Sequence, residues 1–368
     1  MEKPTYQVPS MREIAKLKKN GYKVASTFSG GGGSCLGYRM AGYDVVYANE
    51  FIPAAQDTYR ANNPGSFLDV RDIRILTGKR ILEITGLKRG ELDIFDGSPP
   101  CAAFSMSGKR EKTWGKPKKY SDTVQRVDDL FFEYTRILNE IQPKVFIAEN
   151  VSGLIKGSAK GYFIEIIQEL KKCGYVVEAQ LLNSMWLGVP QRRERLILMG
   201  VRKDLAEKYG VKPTYPTPLK YYYTVGDSFV GLPEEKAEKE RLKIVLRKYS
   251  TYPKIKRMPK NPKRPVSGEK LYGRGKYFNL IRESLYCPCS TVLQSCGSSS
   301  IAGMGFHPLE DRKFTIAELK RVMSLPDDFI ATGTFEQQWE RLGRMVPPVM
   351  MMNIAKTVKT EILDKVAE

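Results

Sequence analysis

Three polar segments, each beside an apolar strand-like run, carry side chains that could do chemistry. The run LDIF leads into GSPPC, where two prolines stiffen the turn and hold Cys101, whose thiolate would be a strong nucleophile beside cations. Glu149 ends the run PKVFIAEN and could act as a general acid. Arg193 and Arg195 precede the run LILMG and supply guanidinium forks. Each segment also has a structural interpretation: a buried cysteine, a capping glutamate or a basic strand edge.

A glycine cluster points to a bound cofactor. The strand-like run VASTF leads into Ser29 and four glycines, residues 30–33, and then into a helix-like pattern, SCLGYRMAG. A glycine turn between a strand and a helix lets the backbone approach a ligand at the helix N-terminus. Glu50 ends the next strand-like run, where an acidic group commonly binds ribose hydroxyls, although a surface carboxylate is the alternative. Together these features predict a nucleotide-like cofactor and do not say which, since nicotinamide dehydrogenases share the turn.

Strand-like runs alternate with helix-like segments from residue 22 to about 200. Short β-rich runs such as DVVYANEF and YVVEAQLLN are separated by helical patterns such as GYFIEIIQELKKCG. This alternation predicts an α/β fold with a mainly parallel sheet and helices on both faces. In such doubly wound sheets, ligands bind beyond the carboxyl ends of the strands. The polar segments are therefore expected to share one crevice.

The composition of the chain changes after Val201. Residues from about 213 to 300 are basic, tyrosine-rich and broken by prolines. They predict a small irregular domain that offers cations to phosphates and aromatic rings to bases, with a solvated linker as the alternative. We therefore expect four segments: an N-terminal helical extension (1–20), the α/β domain (21–212), the irregular domain (213–305) and a C-terminal segment that returns to the α/β domain (306–368).

The net charge favours a nucleic-acid partner. The 368 residues carry 60 Lys+Arg and 41 Asp+Glu, a formal net charge of +19, and the pI is about 9.5. Such an excess of positive charge attracts polyanions, above all nucleic acid. No uncharged apolar stretch is long enough to span a membrane, and the N-terminus lacks the apolar core of a signal peptide. We expect a cytoplasmic protein that does not contact a membrane.

Histidine and cysteine usage limits the chemistry further. His307 is the single histidine, so catalytic triads with histidine and multi-histidine metal sites are nearly ruled out. Six cysteines are too few for a disulfide scaffold, which agrees with a reducing compartment. Cys287, Cys289 and Cys296 lack a fourth ligand, and their spacing begins as C-x-C, so no metal site is predicted.

The order and spacing of these motifs resemble the DNA cytosine-5 methyltransferases of the bacterial or phage type. The resemblance covers nearly the whole chain except residues 205–300. It implies a doubly wound, Rossmann-like domain that binds S-adenosyl-L-methionine (SAM), with a smaller, irregular target-recognition domain. It also implies double-stranded DNA as the partner and restriction-modification as the biological setting. We expect a monomer that associates with the nucleoid of a bacterial or phage-infected cell.

The family's motifs imply three sets of site residues. The implied catalytic residues are Cys101, Glu149, Arg193 and Arg195. The implied cofactor-binding residues are Phe28, Gly30, Gly32, Gly33, Glu50, Asp69, Val70, Pro100, Leu130, Arg344 and Met345. For the adenine contact, Asp72 and Ile73 fit almost as well as Asp69 and Val70. The loop after the nucleophile contributes Ser107, Lys109 and Arg110 to DNA binding, and the basic segment contributes the phosphate contacts predicted at Lys254, Lys256, Arg257 and Lys260.

Two positions depart from the family's pattern. Ala102 replaces the usual glutamine after the nucleophile, which is a mild change. Arg344 and Met345 stand beside the cofactor, where the family usually has Asn-Ser. We expect Arg344 to pair with a carboxylate of the protein or of SAM, or to face solvent. The alternative is that it accommodates a carboxylated cofactor, carboxy-SAM, for carboxymethyl transfer.

The resemblance implies a covalent mechanism on a flipped base. Attack of Cys101 on C6 makes C5 of cytosine nucleophilic, and Glu149 stabilises the charge that develops at N3. Arg195, with Arg193, is expected to hold the base and nearby phosphates. Competing hypotheses are a tRNA cytosine-5 methyltransferase and a non-catalytic DNA-binding protein on the same fold. A nicotinamide dehydrogenase is disfavoured by the proline-flanked cysteine and the arginine-rich run.

Overall fold

The computed structural model describes residues 3–100, 118–120, 123–125, 129–155, 159–249, 252–294 and 305–367. The chain divides into two compact units, each built from three stretches of sequence. The larger unit comprises Ala15–Leu182, Glu194–Thr217 and Met351–Glu368. The smaller unit comprises Met1–Ile14, Asn183–Arg193 and Pro218–Met350.

Strands and helices alternate over the first two hundred residues, and helices predominate thereafter. The strands are β1 Lys23–Thr27, β2 Asp44–Asn49, β3 Phe67–Asp69, β4 Ile94–Gly97, β5 Lys118–Tyr120, β6 Thr123–Gln125, β7 Val145–Val151, β8 Tyr175–Asn183, β9 Glu194–Arg202, β10 Val266–Ser267 and β11 Ile281–Arg282. The helices are α1 Met11–Ala15, α2 Gly33–Met40, α3 Pro53–Asn62, α4 Gly78–Thr85, α5 Leu130–Ile141, α6 Ala159–Lys172, α7 Lys203–Tyr209, α8 Val225–Phe229, α9 Lys236–Arg247, α10 Tyr252–Lys256, α11 Gly268–Tyr272, α12 Ile316–Val322, α13 Phe335–Arg344, α14 Pro348–Val358 and α15 Asp364–Ala367. No helix in these described ranges is long and apolar enough to cross a membrane.

The larger unit is built on a seven-stranded sheet with the order β3-β2-β1-β4-β7-β9-β8. Strands β1 and β2, β2 and β3, β1 and β4, and β4 and β7 pair in parallel. Strand β9 runs antiparallel to β7. The connection from β8 to β9, residues 184–193, is shorter than the dozen or more residues that a parallel crossover needs. The predicted α/β fold with a mainly parallel sheet is confirmed, and β9 is its antiparallel exception.

Helix α5 covers one face of the central strands. The ring of Tyr134 stacks on that of Phe95, with 4.9 Å between the ring centroids, and meets Phe146 edge-on at 6.5 Å. Leu138 and Ile141, on the same face of α5, are fully buried. Each large apolar side chain buried in this way stabilises the fold by about 1.5–3 kcal/mol. This core fixes the central strands in register and thereby aligns their carboxyl ends.

The smaller unit has its own core, so the basic, proline-broken segment is not a solvated linker. Helices α8 to α11 lie in that segment. Arg282 is fully buried, and its Nη2 donates to Ile255 O at 3.0 Å and to Asp311 Oδ1 at 2.6 Å. The buried apolar cluster consists of Leu246, Ile255, Met258, Val266, Leu280 and Phe306.

The observed units differ in their bounds from the four segments expected from the sequence. Residues 306–350 group with the smaller unit, because Phe306 belongs to its core and Asp311 pairs with the buried Arg282. Of the expected C-terminal segment, residues 351–368 belong to the larger unit. The expected N-terminal helical extension is reduced to α1, and residues 3–10 are non-helical.

Candidate active site

The turn after β1 brings backbone N–H groups to the carboxyl edge of the sheet. Phe28, Gly30 and Gly32 have φ values of 54°, 55° and 90°, a left-handed region that costs a non-glycine residue roughly 1–2 kcal/mol. A Cβ on Gly32 would lie 2.7 Å from Asn63 Nδ2, so both conformation and space require glycine there. A Cβ on Gly30 would meet nothing within 4 Å. The backbone at Gly30 is therefore open to a ligand. Helix α2 begins three residues later, at Gly33.

Glu50, just after β2, is held in place by two backbone donors. The N–H of Gly30 donates to Glu50 Oε2 and that of Ile52 donates to Oε1, both at 2.7 Å. Glu50 is buried, yet its carboxylate lies beside the open glycine turn. A fixed carboxylate next to an approachable backbone suits the ribose hydroxyls of a nucleoside cofactor. These residues therefore fit the adenosine part of SAM.

The two candidate adenine contacts are both already bonded to arginine. Asp69 ends β3, and its two oxygens accept hydrogen bonds from Arg71 at 2.9 and 2.7 Å. Burial raises the pKa of Asp69, but the hydrogen bonds from Arg71 outweigh it and hold the pKa below its ordinary value. Asp72 accepts from the N–H of Arg74 at 3.0 Å and pairs with its guanidinium. Val70 is exposed at this edge, which leaves it accessible to a ligand.

Two other predicted cofactor-binding residues lie after β4 and at the start of α5. Pro100 is half-buried after β4, and Leu130 is buried at the start of α5, in the main apolar cluster. The predicted nucleophile Cys101 lies outside the described residues. The predicted DNA contacts Ser107, Lys109 and Arg110 lie outside them as well.

Glu149 and Arg195 form an ion pair where β7 ends and β9 begins. Arg195 Nε lies 2.7 Å from Glu149 Oε1, and the two side chains are 12% and 11% exposed. Because β9 is antiparallel to β7, Arg195 pairs with Val151 in the register and so faces the carboxyl edge of the sheet. Burial lowers the pKa of Arg195 from its ordinary value, while the carboxylate of Glu149 opposes that shift. The structure thus brings these two predicted catalytic residues together.

Arg193 does not join this pair. Its guanidinium belongs to the smaller unit, where Nη1 donates to Val292 O at 2.9 Å and Nη2 donates to Gly343 O at 2.7 Å. The residue is 1% exposed. Arg193 therefore holds two backbone segments together, in contrast to the base-holding role expected from the sequence.

Arg344, the clearest departure from the family's pattern, pairs with a carboxylate of the protein. Its Nε donates to Glu340 Oε1 at 2.9 Å, one helical turn earlier in α13. Met345 follows α13 and is buried. This is the protein pairing that the sequence left open as one alternative.

The predicted phosphate contacts share one short helix and the turn after it. Ile255 and Met258 point into the core of the smaller unit, and the basic residues between and around them stay outside. Lys254 Nζ lies 4.7 Å from the centroid of the Tyr277 ring. The remaining three basic residues, Lys256, Arg257 and Lys260, are exposed.

Sequence reasoning missed Asp96, a buried carboxylate in β4. Its oxygens accept hydrogen bonds from Ser26 and Tyr38. The signal that could have found it was an acidic residue inside an otherwise apolar strand that leads directly into the GSPPC turn.

The fold and the site together define a Rossmann-like, SAM-dependent methyltransferase domain joined to a smaller unit. The sequence profile of the C-5 cytosine-specific DNA methylase family matches residues 22–360. The chain is 30% identical to the type II methyltransferase M.NgoFVII of Neisseria gonorrhoeae, over 94% of this chain and 89% of that protein.

Two solved structures share the fold. One is encoded within an Escherichia coli prophage and described as a DNA modification methyltransferase; its TM-score is 0.68 at 20% identity, over 94% of this chain and 100% of that one. The other is a mutant of DNMT2 from Spodoptera frugiperda, with a TM-score of 0.64 at 17% identity, over 95% of this chain and 100% of that one.

The chain belongs to the C-5 cytosine-specific DNA methylase family. It is a DNA cytosine-5 methyltransferase, and its cofactor is SAM. The resemblance noted from the sequence motifs is thereby confirmed.

The Glu149–Arg195 pair should be strongly coupled in stability. Replacing either residue by alanine leaves a buried charge without its partner, so each single variant should lose about 3–5 kcal/mol of unfolding free energy in urea titrations. The double variant should lose clearly less than the sum of the two. The exposed pair of Lys172 and Glu169 is the control, and Glu169→Ala should cost at most about 1 kcal/mol. Additive losses at Glu149 and Arg195 would contradict the pairing.

Proposed function

We propose that the chain is a sequence-specific methyltransferase of double-stranded DNA that uses Cys101 as its nucleophile. The observation that carries this assignment is a hydrogen bond from Asn150 Nδ2 to Pro99 O at 3.1 Å. Asn150 directly follows Glu149, and Pro99 is separated from Cys101 in sequence by Pro100 alone. The bond ties the strand end that carries the acid to the turn that leads into the nucleophile.

The chemistry follows from the low reactivity of cytosine C5. Bound SAM supplies an electrophilic methyl group. The thiolate of Cys101 bonds to C6, and the electrons of the C5–C6 double bond become available at C5 to form the bond to the methyl carbon. C5 then loses its proton to water, the electrons of the C5–H bond re-form the double bond, and Cys101 leaves C6 with the electrons of the Sγ–C6 bond. The enzyme recovers its thiolate, the base carries a methyl group in place of its C5 hydrogen, and the sulfonium that gave up the methyl group becomes a neutral thioether.

Glu149 and Arg195 act on the base during this sequence. The carboxyl group of Glu149 donates a proton to N3 and so stabilises the charge that develops on the ring when the thiolate adds. Arg195 holds the carboxylate of Glu149 in position, since its Nε is 2.7 Å from Oε1. We assign Arg193 a positioning role, because both of its Nη atoms bind backbone carbonyls.

Charge and position favour duplex DNA as the substrate. The net charge of +19 attracts a polyanion, and the exposed residues of and after α10 present cations to phosphates. The target atom is inaccessible inside a duplex, so the cytosine must be flipped out at a cost of a few kcal/mol. The likeness to the type II methyltransferase M.NgoFVII supports a role in restriction-modification. We further propose that the enzyme acts in the cytoplasm and as a monomer.

Trapping of a covalent adduct tests the nucleophile. Duplex DNA with 5-fluorocytosine at the target position cannot complete the elimination, so the wild-type enzyme with SAM should form a complex that survives denaturing electrophoresis. Cys101→Ser should form none, and its turnover on ordinary DNA should fall roughly a thousandfold or more, because the covalent step is lost. SAM binding should be unchanged.

The control is a cysteine in the same unit that has no role in the mechanism. Cys173 is half-buried, and its Sγ lies 3.7 Å from Thr135 O, so Cys173→Ser should still form the adduct. An adduct that persists in Cys101→Ser would reject the assigned nucleophile. Methylation of tRNA in preference to duplex DNA would reject the assigned substrate.

Phosphate binding by the α10 region predicts a salt dependence that depends little on sequence. Neutralising the four basic residues, Lys254, Lys256, Arg257 and Lys260, with glutamine should weaken binding to all duplexes alike. It should also reduce the slope of log K against log salt by about 0.9 for each phosphate that these side chains no longer neutralise. Fluorescence anisotropy at several salt concentrations measures both quantities.

The matched control removes the same charge from exposed lysines of the larger unit: Lys16, Lys79, Lys171 and Lys208. This variant should keep a steeper slope than the α10 variant. Equal slopes in the two variants would contradict the proposed phosphate binding. A changed sequence preference in the α10 variant would show that these residues read bases.

A further inference from the structure

Two buried aspartates, one just before strand β4 and one within it, lie in contrasting environments. Asp93 immediately precedes the strand, where Lys144 Nζ lies 2.7 Å from its Oδ1 and the N–H of Lys23 donates to its Oδ2 at 2.8 Å. Asp96 is the third residue of the strand and is 2% exposed. It pairs in register with Ser26 of β1 and lies at the carboxyl end, which leads into the nucleophile turn.

Within the described residues, the hydrogen bonds to the Asp96 carboxylate come from hydroxyl groups. Ser26 Oγ donates to Oδ2 at 2.8 Å, and Tyr38 OH donates to Oδ1 at 3.1 Å. Ser29 Oγ, in the cofactor-binding turn, donates in turn to Ser26 Oγ at 3.1 Å. The hydroxyls thus form a directed chain from the glycine turn to Asp96. Such an arrangement is suited to an acceptor that carries negative charge.

No lysine or arginine pairs with Asp96 in the part of the chain that the structure describes. The titratable groups that face it are Tyr38 and Cys35 of α2, Tyr134 of α5 and Glu149 of β7, and none of them is a cation. Burial raises the pKa of Asp96 to about 7, and the hydrogen bonds from Ser26 and Tyr38 limit that rise. A buried carboxylate without a cation is costly, so a positive ligand at this edge would be strongly favoured.

We propose that Asp96 is the counter-charge for the sulfonium of bound SAM and makes the site prefer the charged cofactor over its neutral demethylated product. Methyl transfer converts the sulfonium cation into an uncharged thioether and leaves the rest of the cofactor unchanged. A carboxylate behind the cofactor turn attracts the sulfonium cation and has no net Coulomb attraction for the uncharged thioether. Asp96 is therefore a specificity-determining residue that favours release of the product after each methyl transfer.

The inference rests on the SAM-dependent activity assigned above, and a binding measurement separates the two. Isothermal titration calorimetry on the full chain, without DNA, gives the dissociation constants of SAM and of S-adenosylhomocysteine, and the ratio of the two constants measures the preference. Asp96→Asn should reduce the preference for SAM by about tenfold or more, because the attraction between opposite charges inside the protein is lost. Asp93→Asn removes a buried carboxylate at the other end of the strand and should leave the ratio unchanged.

The ratio should also depend on pH in every variant that keeps Asp96. Asp96 is ionised above a pH of about 7, so the preference for SAM should be largest near pH 8.5 and fall towards pH 6. Both ligands carry the same amino and carboxylate groups, so their own titrations cancel in the ratio. In Asp96→Asn the ratio should not vary with pH. Tyr38→Phe keeps the Asp96 carboxylate but removes a hydrogen-bond donor to it. The midpoint, the pH at which the SAM preference is half-maximal, should therefore move to a higher value.

The outcomes are distinguishable. Failure of the wild type to bind SAM would overturn the assigned activity itself. SAM binding with a ratio that is unchanged in Asp96→Asn, or changed equally in Asp93→Asn, would overturn the role of Asp96 and leave the methyltransferase assignment intact. If Asp96→Asn does not fold, the midpoint shift in Tyr38→Phe decides: a shift to higher pH supports the proposal, and an unshifted midpoint rejects it.

Discussion

The antiparallel pairing of β9 with β7 is the constraint on which the catalytic geometry depends. Because β9 runs against β7, its first residues lie beside the last residues of β7, and Arg195 meets Glu149 at 2.7 Å. A parallel β9 would have begun at the opposite edge of the sheet. The two side chains are each nearly nine-tenths buried, and neither charge would be tolerated there alone. The antiparallel direction of β9 thus places Arg195 beside Glu149, the candidate acid, and neutralises its charge.

The larger unit stabilises its buried anions in three different ways. Glu50 receives two backbone N–H groups, which fix it beside the glycine turn. Asp69 and Glu149 each receive an arginine and so form neutral pairs. Asp96 accepts hydrogen bonds from the hydroxyl groups of Ser26 and Tyr38. Glu50 and Asp96 are the two of these carboxylates that lie nearest the cofactor turn, where a ligand with hydroxyl groups and a positive charge would complement them.

The part of the site that follows from local patterns could be predicted from the sequence, and the part set by distant contacts could not. Glu50 and Glu149 follow apolar runs, and in a doubly wound sheet such positions lie at the carboxyl edge. Arg193 is two residues from Arg195, but its acceptors are 99 and 150 residues away in the chain. The hydroxyl donors of Asp96 are 70 and 58 residues away. Tertiary packing likewise sets the direction of β9 and places residues 306–350 in the smaller unit. The hydrophobic periodicity of the sequence does not predict either feature.

Methyl transfer with isotopically labelled SAM tests the central claim most directly. Purified enzyme, duplex DNA and SAM with a deuterated methyl group are incubated together, and the digested nucleosides are identified by mass spectrometry. The site geometry predicts label on C5 of cytosine in duplex DNA, and loss of that label in Glu149→Gln. Label found only in tRNA, on another base, or not at all in duplex DNA would contradict the assignment.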